Sequence, residues 1–146
     1  MHVTEKAEFL VVGFTLQASW KRLWKEMPEA WQLFFSRYQE IENRVNNRLI
    51  DLSLRKEKDV YTQLLCVEVS NADDPVPEGM IITTIPQKKY LHYKHTGSLE
   101  DIATSFGKMY NWGKEQNLTT TDFKLDIGYK PKNNERNHDL YIEITG

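Results

Sequence analysis

The sequence predicts an α+β fold: two strand-helix-strand-strand modules in succession, with an antiparallel sheet, two main helices and a central cleft. Three observations predict it. Two apolar stripes recur at spacings of three and four, the helical period. Short runs rich in β-branched and aromatic residues are bounded by Pro, Gly and Asn, as strands are. The same order of elements runs twice, which predicts a pseudo-twofold axis with a cleft where the halves meet. The chain of 146 residues fits a single domain, 1–146, with pseudo-repeats over about 1–86 and 87–146. No residue-level repeat accompanies the pattern.

The elements follow in order. Phe9-Leu10-Val11-Val12-Gly13-Phe14 is a short apolar run and predicts a buried strand. Pro28 suits a first helical turn. From there Ala30, Trp31, Phe34, Phe35, Tyr38, Ile41 and Val45 mark one face of a helix over 28–45. Residues 46–59 are polar and end in Arg55-Lys56-Glu57-Lys58-Asp59. They read as a solvated loop with some short structure, or as a phosphate-binding patch. A strand over 61–69 follows, then a turn marked by Pro75, Pro77 and Gly79, and a third strand over 80–85. Alternation over 89–95 gives a fourth strand. Ser98 and Asp101 resemble a capping box, and Leu99, Ile102, Ala103, Phe106, Met109 and Tyr110 predict a second helix over 99–116, with Asn117 as its C-cap. Strands over 123–128 and 140–145 close the second module, around a polar loop over 130–137.

Composition excludes several classes. The chain carries 19 Lys and Arg against 21 Asp and Glu, a net charge of −2, which argues against direct nucleic-acid binding. No apolar run approaches a membrane span, and the first residues lack the pattern of a signal peptide. One cysteine, Cys66, excludes an internal disulfide and a multi-cysteine zinc site, and fits a reducing, cytoplasmic location. The motifs of the commonest hydrolases, nucleotide binders and metalloproteases are absent. His2 and His138 fall at a chain end and in a loop, while His92 and His95 point to opposite faces of a strand. No metal or cofactor is expected. His95 reads as a structural residue at a strand end, and Cys66 as an inert strand residue.

What remains is acids and rings. Glu68 interrupts the apolar strand around Cys66, and Asp126 sits likewise between Leu125 and Ile127. An acid in such a place lies either on a solvated sheet face or in a cleft. In a cleft walled by aromatic rings it attracts a flat cation, by charge and by cation–π contact. With its pKa raised by desolvation it serves equally as a general base. Trp31 fits the apolar face of the first helix or a cleft wall. Trp112 sits at the edge of the second helix's stripe and fits packing or a wall.

Several ordered segments carry a family resemblance. They are Pro28-Glu29-Ala30-Trp31-Gln32-Leu33-Phe34-Phe35, Cys66-Val67-Glu68-Val69, Val76-Pro77-Glu78-Gly79-Met80, and Thr84-Ile85-Pro86 running on to Lys89-Tyr90. After these come His95-x-Gly97, Trp112, Asp122-Phe123-Lys124-Leu125 and Leu140-Tyr141-Ile142. Together they resemble the GyrI-like, or effector-binding, domain, which also forms the ligand-sensing part of several AraC- and MerR-type regulators. The resemblance implies two modules around a cleft that takes small, often cationic and aromatic, compounds. One branch of the family interacts with DNA gyrase, and another hydrolyses cyclopropane-containing toxins. The family often carries a pocket glutamate in Phe-Glu-x-Tyr on the fifth strand. In the direct register Lys124 stands at the glutamate and Asp126 at the tyrosine; a shift of two residues puts Asp126 at the acid.

These readings give a small-molecule-binding domain, a sensor or a sequestering protein, with Trp31, Glu68, Trp112, Lys124, Asp126 and Tyr141 as lining residues. The alternatives are a hydrolase of electrophilic toxins, with Glu68 or Asp126 activating water, and an interaction protein that binds gyrase or a transcription regulator.

Overall fold

The computed structural model describes residues 1–131 and 136–145. Ten main elements follow the chain: β1 (His2–Lys6), β2 (Phe9–Ser19), α1 (Trp20–Arg37), β3 (Leu49–Glu57), β4 (Val60–Val69), β5 (Ile81–Ile85), β6 (Lys88–Thr96), α2 (Ile102–Glu115), β7 (Thr119–Tyr129) and β8 (Asn137–Thr145). The eight strands form one antiparallel sheet in the order β1-β6-β8-β7-β3-β4-β2-β5. The predicted α+β class with two main helices is therefore observed.

The topology repeats as β-β-α-β-β. In each half the second, fourth and third strands of the unit lie side by side, as β2-β4-β3 and β6-β8-β7. The first strand of each unit crosses to the other half: β1 pairs with β6, and β5 pairs with β2. The two halves meet where β3 pairs with β7. The repeat thus breaks in the loop between Val69 and Ile81, ahead of the boundary near residue 86 that the sequence pattern suggested.

Two short links force the sheet to curl. Only Ala7 and Glu8 separate β1 from β2, and only Pro86 and Gln87 separate β5 from β6. Three Cα steps reach about 11 Å at most. In a flat sheet the strands so joined, six places apart in the order, would stand about 29 Å apart. Curling brings them together, and the Lys6 ammonium lies 5.5 Å from the Phe9 ring and 4.9 Å from the Tyr141 ring. The inside of the curl holds Val11, Ile50, Leu52, Leu64, Cys66, Tyr90 and Leu125, all buried with no helix over them. The helices cover the other face. Phe34 and Tyr38 pack on Leu49, Leu65 and Val67, and Ile102 and Met109 pack on Leu91, Leu140 and Ile142.

Three local expectations are corrected. The first helix runs over Trp20–Arg37 rather than 28–45, capped by Ser19, whose Oγ accepts from the Arg22 N–H. Pro28 lies inside it and removes one helical N–H, that which would bond the carbonyl of Trp24, a residue 70% exposed. Ile41 and Val45 continue the helical spacing, yet Asn43 takes a left-handed conformation, φ 62°, and the chain turns there. The polar stretch 46–59 holds a central strand, β3: Leu49, Ile50 and Leu52 are buried, and the charge run falls at the hairpin turn, where Lys58 has φ 54°. Finally, β1 was not foreseen, because a short edge strand needs few apolar residues. The loop expected over 130–137 lies mostly outside the described residues.

Gly13 shows how close the strands of the first module come. A Cβ there would stand 1.8 Å from the Leu65 carbonyl oxygen and 2.7 Å from the Cys66 Cα. Both are backbone atoms, so the contact is relieved only by moving β4. Gly13→Ala is expected to cost at least about 2 kcal/mol of folding stability. Urea unfolding checks this, and an unchanged midpoint would contradict the packing described.

Candidate functional site

The site begins with the register of the two central strands. Asp51 of β3 is paired with Asp126 of β7, and Ser53 with Lys124. Between them Leu52 and Leu125 point into the curl of the sheet. Strand alternation therefore turns Asp51, Ser53, Lys124 and Asp126 to the helix side. Two acids from the two halves face each other there, on the pseudo-twofold axis.

The acids are held differently. Asp126 is 4% exposed. Its Oδ2 accepts from the Tyr129 hydroxyl and its Oδ1 from His138 Nδ1, both at 2.6 Å. A carboxylate only accepts, so Nδ1 carries the imidazole proton. Asp51 accepts from Gln63 Nε2 at 2.9 Å, and the same amide reaches Ser53 Oγ at 3.0 Å. The Asp51 carboxyl is pushed up to about 7, chiefly by burial and then by the charge of Asp126, against the Gln63 hydrogen bond and the charge of Lys124. Two facing carboxyls resist double ionisation, and the raised pKa of Asp51 reflects this.

Rings form the walls of a cleft of about 720 Å³ between α1 and α2, a volume typical of small-molecule sites. Trp31 of α1 stacks on Tyr129 at 4.3 Å and on Phe35 at 5.2 Å. Phe106 and Tyr110 of α2 face it, with the Lys124 ammonium 5.6 and 5.7 Å from their ring centres. Trp20 and Trp24 meet edge to face at the mouth, and Trp20 tilts against Tyr61. Such a cleft can desolvate a flat ring system and neutralise a positive group on its floor. Among the described residues no group of three or more His, Cys, Asp or Glu is arranged to hold a metal ion.

Of the six residues singled out from the sequence, the structure brings Trp31, Lys124 and Asp126 together in the cleft. Glu68 is not brought there. It shares the parity of Leu64 and Cys66, whose side chains point to the face opposite the helices. That parity places Glu68 on the face of β4 opposite the cleft. Trp112 packs against the cluster of Leu91, Met109 and Ile142 beneath α2. Tyr141 lies on the far face, stacked on His92 at 4.5 Å. His95 is a buried structural residue, bonded to Ser105 Oγ and the Ser98 carbonyl. Cys66 is buried, and burial pushes its thiol well up. Sequence reasoning missed Asp51, Gln63, Tyr129 and His138. One signal was present: Ile50-Asp51-Leu52 has the apolar-acid-apolar pattern of Leu125-Asp126-Ile127, and the two segments pair.

Comparison with known proteins decides the family. The Cass2 family of integron-associated effector binding proteins matches residues 2–144. The chain belongs to this family, which is GyrI-like. Solved structures share its fold. SAV2435, bound to tetraphenylphosphonium, superposes with a TM-score of 0.78 at 11% identity, covering 99% of this chain and 93% of that one. The integron cassette protein VCH_CASS2, from the mobile metagenome of Vibrio cholerae, gives 0.71 at 12%, covering 99% and 95%. The EcmrR C-terminal domain gives 0.64 at 12%, covering 99% and 96%. At these identities the likeness is one of fold. No curated protein matches the sequence. Among the described residues no helix of this Cass2-family chain is long and apolar enough to cross a membrane.

The raised Asp51 carboxyl has a consequence for stability. The folded state holds the Asp51 proton more tightly than the unfolded chain, whose aspartate titrates near 3.8. The favourable contribution is full below that value and is lost as pH rises to about 7. The whole shift corresponds to about 4 kcal/mol; Asp51 is partly open to the cleft, and screening reduces this to about 1–2 kcal/mol. Asp51→Asn is thus expected to melt above the parent at pH 8, with the gap closing towards pH 4. Thermal unfolding across pH checks it, and a pH-independent difference would contradict the burial described.

Proposed function

We propose that this Cass2-family protein binds small aromatic compounds bearing positive charge in the cleft between α1 and α2, as a sensor or a sequestering protein. The observation that carries the reading is the pair of facing acids, Asp51 and Asp126, on the floor of a cleft walled by Trp31, Phe106, Tyr110 and Tyr129. Charge neutralisation alone would not favour a flat ligand, and rings alone would not favour a charged one. Together they favour an aromatic cation over a neutral or anionic analogue. The complex of SAV2435 with tetraphenylphosphonium, on the same fold, supports this ligand class.

The test compares tetraphenylphosphonium with tetraphenylborate, two ions of one shape and opposite charge. Quenching of tryptophan fluorescence reports binding near Trp31, Trp20 and Trp24. At pH 8 the cation is expected to bind at least tenfold more tightly than the anion. The gap should narrow at pH 6, where Asp51 holds its proton and the floor loses negative charge. Equal or reversed affinities would refute the reading.

A further inference from the structure

Lys124 is the one positive side chain lining the cleft among the described residues. It lies two residues from Asp126 on the same face of β7 and opposite Ser53 of β3. The floor therefore has two rows, an acid row of Asp51 and Asp126 and a second row of Ser53 and Lys124, about 7 Å apart along the strands. The Lys124 ammonium lies over the rings of Phe106 and Tyr110, and among the described residues it makes no ion pair. Lys88 shows the contrast. It too lies over a ring, that of Phe123, but its ammonium bonds the Glu143 carboxylate at 2.7 Å. Lys124 is partly desolvated, and burial draws its ammonium below the ordinary lysine range, against the pull of Asp122 and Asp51. Desolvation without a contacting carboxylate is costly, and a ligand's anionic group would supply that contact.

We propose that Lys124 is a specificity residue that receives an anionic group of the ligand. The cleft then selects zwitterionic aromatic compounds, with the positive group over Asp51 and Asp126 and the negative group at Lys124. This rests on the reading of the cleft as a cation-binding site and narrows its ligand class. The two charges of such a ligand stand about 5–8 Å apart, to match the spacing of the rows.

The test uses a zwitterionic rhodamine acid and its cationic ethyl ester, which share one xanthene frame, with tetraphenylphosphonium as a third probe. Binding is measured for the parent protein, Lys124→Met and Lys124→Arg. Lys124→Met is expected to weaken the zwitterion at least tenfold while the ester and tetraphenylphosphonium bind as tightly or more tightly. Lys124→Arg, which keeps the charge, should hold the zwitterion within a fewfold of the parent. If Lys124→Met leaves zwitterion affinity unchanged or improves it, the lysine only offsets the acids and the proposal falls. Loss of all three probes in Lys124→Met would make the lysine a structural support and would equally overturn it. Failure of the parent to bind any of the three would refute the reading of the cleft itself, and this inference with it.

Discussion

The pairing of β3 with β7 is the contact on which the rest depends. Each half brings one helix and a sheet of three consecutive partners, and the central join is this single strand pair, with Asp51 opposite Asp126. A slip of one residue in either strand would turn that strand's side chains to the other face. Its leucine, Leu52 or Leu125, would then face the helices, and its acid, Asp51 or Asp126, would enter the apolar interior of the curl. The cost of burying a carboxylate there favours the observed register. The exchanged strands β1 and β5 reinforce it, because links of two residues leave no slack for the halves to slide.

The cleft follows from that join. Helices α1 and α2 each cover their own half of the sheet, so the strip of Asp51, Ser53, Lys124 and Asp126 on β3 and β7 forms the floor of a cleft between them. Polar side chains in this strip would be solvated on an open sheet. Here aromatic residues rise on both sides, and the acids are taken part of the way out of water. Asp126 accepts two hydrogen bonds, from Tyr129 and His138. Asp51 has one side-chain donor, Gln63, and absorbs the strain of proximity through its raised pKa. The floor thus holds one carboxyl, Asp51, whose raised pKa makes it respond to pH near neutrality. Stability and binding pull in opposite directions at this pair: the ionised Asp51 that weakens the fold is the form that would hold a cation.

Much of the architecture was legible because apolar spacing reports burial directly. The strands at Phe9, Tyr61, Ile81, Lys88, Phe123 and Leu140 and the helix from Ile102 were all readable from alternation and period. The departures have local causes. In β3 the charge run 55–59 outweighed Leu49, Ile50 and Leu52, although those charges occupy only the hairpin end. In α1, Pro28 suits a first turn because proline tolerates that position, whereas the cap is Ser19 and Pro28 lies inside the helix. The site was less legible. Parity along a strand showed that Glu68 shares a face with Cys66, but it could not show which face carries the helices. Asp51 is hidden by the charge run that makes its strand look like a loop, and His138 meets Asp126 only through the β7–β8 pairing, which no local pattern records.

The most direct measurement of the central claim is a crystal structure with tetraphenylarsonium, an aromatic cation whose arsenic is located by its anomalous scattering. The account predicts one arsenic peak between Trp31 and Phe106, above the Asp51 and Asp126 carboxylates. A peak confined to the exposed Trp20 and Trp24 at the mouth, or none in the cleft, would contradict it.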